Sequence, residues 1–391
     1  MTERYDVLLY VQHLLGIGHL RRAAVLARAC HRAGLKVVLV TGRPPVSGLG
    51  LEEIEVVQLP PARSQDKNFS EIVDAEGRPI DAAWMAGRRE RLLEIYHRCR
   101  PRVLLIELYP FGRRKMRFEL DPLIEAARGE AKPPLIACSL RDIVNRPEQA
   151  DKIAWMVERF ARQFDLLYVH GDPQFFRLED SFPEARAFAE RIRYTGYVTD
   201  AGAVAAAARA SGGSAGRGEV IVSAGGGAVG LDLMRTALAA RALSPLAEVP
   251  WRLLTGPNVA PADFETLAAA APGGVAVERA RSDFPEMLTR ARLSISQGGY
   301  NTVMEVLAAG LPAVVVPFAG VAETEQTQRA AALAARGLIT VVPEAGLSPQ
   351  RLAAAVALAL QNSGAKSAPF RLDGADETAR QLIAELKAAA A

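Results

Sequence analysis

Between Leu293 and Gln328 the chain reads LSISQGGYNTVMEVLAAGLPAVVVPFAGVAETEQTQ, and the residue types there suit the grip of a diphosphate. Gly298 and Gly299 follow an apolar, β-prone run and open a predicted helix, whose first backbone N–H groups have no intrahelical acceptors and can hold an anion. Side chains larger than hydrogen would hinder a close approach at that turn. Thr302, in the first helical turn, adds a hydroxyl donor, and Glu305 lies one turn further on roughly the same face. A carboxylate there repels phosphate but suits ribose hydroxyls. The helix is predicted to end near Gly310, Pro312 stops it, and AVVVPF reads as a buried parallel strand delivering the loop from Ala319 to Gln326. Ligands in open α/β sheets gather at such strand ends.

Proton-transfer candidates lie in the first half. In VQHLLGIGHLRRAAVLARA, Gly16 and Gly18 make a flexible loop and His19 stands at a helix start. A neutral imidazole there takes a proton from a hydroxyl or from water near neutral pH; otherwise His19 caps the helix or donates to phosphate. Of the arginines that follow, Arg21 is assigned to the phosphate side, although charged residues beside a helix start are more often solvated. Glu107 and Asp142 end predicted strands, so each is a base in its own right, a group that orients His19, or a structural partner of Arg113, Arg114 or Arg141. His170, ending DLLYVHG, is read as a core histidine before a site residue, and His13, His31 and His97 show no constellation. In VIVSAGGGAVG, Gly225, Gly226, Gly227 and Gly230 join a buried strand to a helix near Leu231 and either cradle phosphate or simply turn the chain.

These residues need elements to hold them. Short apolar runs alternate with helical stretches: DVLLYVQ, KVVLVTG, IEVVQLP, RVLLIEL, PLIACSL and DLLYVHG, then EVIVSAG, WRLLTG, VAVERA, LSISQG, AVVVPF and LITVVP. That alternation predicts an α/β chain with parallel sheets. At 391 residues, two domains are expected. The boundaries drawn are 1–205, a linker rich in Ala, Gly and Ser at 206–218, a second domain at 219–374, and a C-terminal helix at 375–391. Half of the residues are apolar and the net charge is only +3, which argues against a nucleic-acid binder. Cys30, Cys99 and Cys138 have no CxxC and no metal-ligand spacing, so they read as buried small hydrophobes in a reducing compartment, and no metal is expected. The start MTERYDVLLYV lacks a long apolar core, giving the expectation of a cytoplasmic protein without a signal peptide or membrane-spanning helix. PFGRRKMRFEL reads either as a solvated loop with packed aromatics or as a patch that holds an acceptor phosphate or an anionic membrane surface.

The Gly299, Thr302, Glu305, Gly310, Pro312 and Gln326 pattern resembles the C-terminal donor motif of GT-B glycosyltransferases of family 28, the group of the peptidoglycan N-acetylglucosaminyltransferase. It also resembles a bacterial branch of glycosyltransferases carrying SQGGYNT and EQT. Gly298 stands where the family has Ser, and Glu325 where it has Gln. The resemblance implies two Rossmann-like domains facing a deep interdomain cleft, with the last helix returning to the N-terminal domain. It implies donor binding by the Gly225 to Gly227 loop and by Gln297 through Gly299, Asn301 and Thr302. Glu305 would take the ribose, and Glu325 with Gln326 the sugar hydroxyls. The loop holding Arg281 and Phe284 would read the base mainly through its backbone, with Phe284 either stacking on it or packed as helix core. Gly16, Gly18 and His19 are similar to the family's first loop.

The expected reaction is sugar transfer from a UDP-sugar, or a thymidine counterpart, to an unidentified acceptor, by inversion and without metal or cofactor. Lipid-linked or polysaccharide acceptors fit the family, with peripheral contact at the inner membrane face. The rivals are a nucleotide-sugar hydrolase like the one of pseudaminic acid synthesis, a nucleotide-sugar 2-epimerase whose characteristic carboxylates are not recognisable here, and a non-catalytic nucleotide-sugar-binding protein.

Overall fold

The computed structural model describes residues 4–14, 16–44, 46, 48–64, 71–200, 204, 214–224, 230–256, 259–319, 324–362 and 370–389. The chain divides into two compact units, residues 1–198 with 373–391, and residues 199–372.

In the first unit, β1 (Val7–Val11), β2 (Val37–Thr41) and β3 (Glu55–Gln58) precede a small antiparallel pair, β4 (Arg63–Ser64) and β5 (Ile72–Val73). Then follow β6 (Val103–Glu107), β7 (Leu135–Arg141), β8 (Leu166–His170) and β9 (Ile192–Tyr194). The main sheet is parallel, in the order β3-β2-β1-β6-β7-β8-β9. Its strands are almost continuously apolar because helices cover both faces. Leu8, Tyr10, Leu104 and Ile106 pack on one face, under the helices Ala82–Cys99 and Arg117–Arg128. Val7, Leu9, Val11, Val103 and Leu105 pack on the other, under the helix Gly18–Arg32. That helix buries Leu20, Ala23, Leu26, Ala27 and Cys30, the three-and-four spacing of an amphipathic stripe.

The C-terminal helix Gly374–Ala388 belongs to this unit, where its Ala375, Ala379, Leu382 and Leu386 join the same core as Leu20 and Leu26. Its start demands glycine: a Cβ on Gly374 would stand 2.3 Å from the Gly196 carbonyl oxygen. The Gly374 N–H donates to the Tyr197 carbonyl there at 3.0 Å.

The second unit carries β10 (Val220–Ser223), β11 (Trp251–Thr255), β12 (Val275–Arg279), β13 (Leu293–Ser296), β14 (Ala313–Val315) and β15 (Thr340–Val341). They form a parallel sheet in the order β12-β11-β10-β13-β14-β15. Each unit thus builds outward in both directions from its first strand, and the order reverses between β1 and β6 and between β10 and β13. Crevices for ligands open beyond the carboxyl ends of strands at such reversals. Residues 205–213, most of the expected linker, lie outside the described residues.

Cys30, Cys99 and Cys138 are buried and unpaired in disulfides. Among the described residues, no helix is long and apolar enough to cross a membrane. In PFGRRKMRFEL the packed-aromatic reading holds for Phe111. Phe111 is 4% exposed and meets the rings of Phe160, Phe182 and Phe188 at centroid distances of 5.6, 5.5 and 6.0 Å. Met116 is fully buried, so these two side chains serve the core, while Phe118 is half-buried and Arg114, Lys115 and Arg117 are exposed.

Candidate functional site

At the β1/β6 reversal, the last residue of β6 faces the first turn of the helix Gly18–Arg32. His19 Nδ1 lies 2.7 Å from Glu107 Oε1, and Arg22 Nη2 bonds the same oxygen. His19 and Arg22 are three residues apart, hence on one helix face. Glu107 is 1% exposed, and its Oε2 has no hydrogen-bond partner among the described residues. Burial alone would push its carboxyl up, but His19 and Arg22, with the charge of Arg113, hold it well below the ordinary carboxylate range. Burial also lowers the His19 imidazole, to about 3, with Arg113 and Arg141 adding to the effect against the pull of Glu107. The local charge is already positive, so the neutral ring is favoured. With Nδ1–H donated to the carboxylate, Nε2 becomes the proton acceptor.

Several neighbours hold this arrangement. His13, which has no constellation in sequence, is 1% exposed and belongs to this cluster. The Gln12 carbonyl beside it accepts from Arg113 Nε at 2.6 Å, and the Leu14 carbonyl accepts from Arg43 Nη1 at 3.3 Å. Burial, then Arg43, His19 and Arg113, push the His13 imidazole down to about 3. Gln12 Oε1 in turn accepts from Arg88 Nη2 at 2.5 Å. Arg88 Nε donates to Glu119 Oε2 at 2.7 Å, and the Tyr10 hydroxyl also reaches Glu119. Such satisfied buried networks rigidify what they hold, here the carboxyl end of β1.

The other first-unit candidates divide. Gly16, Gly18 and Arg21 are partly exposed around the helix start. Asp142 is fully buried just beyond β7, and a Cβ on Gly171 would stand 2.9 Å from its Cβ. Among the described residues, the partner that holds His19 is Glu107. His170 is a core histidine, bonded to Ser139 Oγ at 2.8 Å and to Thr195 Oγ1 at 3.0 Å. Arg22 is the residue that sequence reasoning passed over in favour of Arg21, and its three-residue offset from His19 was the available signal.

In the second unit, Ser223 and Ser296 are register partners at the β10/β13 reversal. The Gln297 N–H donates to the Ser223 carbonyl at 3.3 Å. Gly230, at φ 114°, lies so close that a Cβ would stand 2.5 Å from the Ala224 Cβ and 3.4 Å from Gln297 Cδ. The donor turn and the close of the glycine-rich loop are therefore adjacent, while Gly225, Gly226 and Gly227 lie outside the described residues. Gly299 is the N-cap of the helix Tyr300–Ala308. Gly299, Asn301 and Thr302 are partly exposed along its first turn, and Glu305 is 8% exposed. A Cβ on Gly298 would meet Gln326 Cβ at 3.3 Å and Pro317 Cβ at 3.4 Å, a tight fit where the resembled family has Ser.

The remaining donor candidates are engaged within the protein. Gln326 Oε1 accepts from the Phe318 N–H at 3.1 Å. Glu325 is 2% exposed, with Oε1 2.5 Å from Arg329 Nη2. Arg281 grips both oxygens of Asp283 at 2.8 Å and Glu278 Oε2 at 3.0 Å. Phe284 is 7% exposed at the start of the helix Phe284–Leu288, which is the packed of its two readings.

Two Rossmann-like units of this kind make the GT-B architecture of glycosyltransferases. The fold is similar over 97% of this chain to the crystal structure of Acinetobacter baumannii MurG, covering 99% of that chain with a TM-score of 0.57 at 17% identity. It is similar over 99% to a Listeria monocytogenes protein assigned as a UDP-N-acetylglucosamine 2-epimerase, covering 96% of that chain with a TM-score of 0.65 at 12% identity. At those identities the likeness is one of fold. Residues 221–384 match the glycosyltransferase family 28 C-terminal domain. A stretch of 146 residues is 32% identical to the UDP-N-acetylglucosamine--N-acetylmuramyl-(pentapeptide) pyrophosphoryl-undecaprenol N-acetylglucosamine transferase of Rhizobium etli, covering 36% of this chain and 39% of that relative's length. The likeness to glycosyltransferase family 28 therefore lies in residues 221–384, the C-terminal part of the chain.

Proposed function

We propose that the protein is a glycosyltransferase that binds a nucleotide-sugar, with UDP as the nucleotide, on its second unit and activates an acceptor hydroxyl with His19 on its first. The observation that carries the reading is the β10/β13 reversal in the family 28 domain, where the Gly299 helix N-terminus stands beside Gln297 and the end of the glycine-rich loop. Unused N–H groups of the helix Tyr300–Ala308 would take the diphosphate, and Glu305, one turn on, the ribose hydroxyls. Gln326 and Glu325 would stand nearest the sugar.

The reaction is a displacement at the anomeric carbon. The acceptor oxygen forms the new bond as the bond to the diphosphate oxygen breaks, and the acceptor proton passes to His19 Nε2. Glu107 keeps the imidazole in the tautomer that can accept it, and its charge offsets the imidazolium that forms. The helix N-terminus offsets the charge growing on the leaving diphosphate, which supports a metal-independent, inverting course. The acceptor is proposed only as a hydroxyl compound; a lipid-linked one would follow the Rhizobium relative.

The test is UDP release from a panel of UDP-sugars, with and without candidate acceptors. Release that depends on an acceptor supports transfer. Rapid release of free sugar into water would assign the protein to hydrolysis instead.

A further inference from the structure

Arg329 is 1% exposed in the second turn of the helix Glu325–Ala335 and joins three pieces of the second unit. Its Nη2 lies 2.5 Å from Glu325 Oε1, the first residue of its own helix. Its Nη1 lies 3.4 Å from the Gly298 carbonyl oxygen, in the turn after β13. Its guanidinium carbon stands 5.1 Å from the ring centroid of Tyr300, the first residue of the next helix. Arginine suits such a place because its fork is planar, always charged and able to donate in several directions while stacking on a ring.

The Gly298 contact has a geometric consequence. A peptide unit is planar and trans, so the Gly298 C=O and the Gly299 N–H point in opposite directions. A peptide between two glycines has no Cβ on either side to limit its rotation. A guanidinium on the Gly298 oxygen supplies the missing restraint and turns the Gly299 N–H away from Arg329. Gly299 is the helix N-cap, so that N–H is among the donors the helix does not use itself. Arg329 also neutralises the buried Glu325 carboxylate, which would otherwise oppose an anion bound near this helix start.

We propose that Arg329 is a positioning residue of the nucleotide-sugar site, which holds the Gly298–Gly299 peptide so that the Gly299 N–H is aimed at the donor diphosphate, with Glu325 as its counter-ion. The inference rests on the donor reading given above. It accounts for a carboxylate at position 325, where the resembled family has Gln: the partner charge comes from the same helix, one turn away.

The experiment compares UDP with uridine, which lacks the diphosphate, by ligand-observed NMR titration of the full chain. Two variants are used. Arg329→Lys keeps a positive charge for Glu325 but lacks the planar fork, and Glu325→Gln/Arg329→Met removes both charges so that no carboxylate is left buried alone. Circular dichroism and thermal unfolding report their folding. The expected result is folded variants whose UDP affinity falls about tenfold, the size of one lost charged hydrogen bond, while uridine affinity stays at the wild-type value. Parallel loss of UDP and uridine, unchanged UDP affinity in both variants, or collapse of both folds overturns the positioning role. Wild-type protein that binds no UDP overturns the donor reading and this inference together.

Discussion

His19 Nδ1 and Glu107 Oε1 stand 2.7 Å apart, joining the first turn of the helix after β1 to the last residue of β6. The bond sits where the order of the first sheet reverses. Arg22 shares the carboxylate, so the imidazole is fixed in direction without being drawn into its charged form.

His19→Ala is expected to lower turnover by about a hundredfold or more, the usual contribution of a positioned base, and to leave UDP affinity at its wild-type value. Glu107→Gln should lower turnover as well, because the amide can present its N–H₂ to the ring and favour the wrong tautomer. Steady-state rates alongside UDP titration check both. Turnover by His19→Ala with an unaltered pH profile would exclude His19 as the base.

Glu305→Ala is expected to weaken UDP binding by about 1.5 to 3 kcal/mol, the range for hydrogen bonds to a charged group. Calorimetry on variant and wild type measures this directly, and an unchanged affinity removes Glu305 from the ribose.

Stability should fall on mild acidification. His13, His19 and His170 are each pushed from 6.5 down to about 3, in every case mainly by burial. Below about pH 6.5 the unfolded chain takes up these protons while the native state stays neutral, so each histidine costs about 1.4 kcal/mol per pH unit. Glu107 acts in a lower window: its carboxyl is held below 4.5 in the native state, so the stability it adds is kept above that value and lost as pH falls through the native one. Denaturant unfolding between pH 7 and pH 5 should therefore show a steady loss, reduced in slope by His170→Asn. A flat profile would mean that these rings protonate in the folded protein.

Phe111→Ala should cost about 3 to 5 kcal/mol, as for other buried phenylalanines, because the ring fills the space between Phe160, Phe182 and Phe188. Chemical unfolding reads the loss. A variant as stable as wild type would show that the ring is dispensable to this core.

Twelve of the strands were legible because each is a short apolar run bounded by turn residues, as in KVVLVTG for β2 and AVVVPF for β14. The three that were not, β4, β5 and β9, span two or three residues each and carry no such run. In the site, His19 and Glu107 were recognisable as candidates because one opens the helix after β1 and the other ends β6, both at the carboxyl edge of the sheet. Their partners were not. Arg22 needed the helix phase, His13 needed the return of Arg43 and Arg113 to its flanking carbonyls, and Arg329 needed the meeting of two helices with the Gly298 turn. Those contacts join distant stretches of chain that share no local pattern.

The donor site is tested most directly by titration of the purified chain with UDP, run beside a UDP-release assay over several UDP-sugars without acceptor. The expected result is saturable UDP binding with little release until an acceptor hydroxyl is supplied. A chain that binds no UDP contradicts the donor site from which the rest follows.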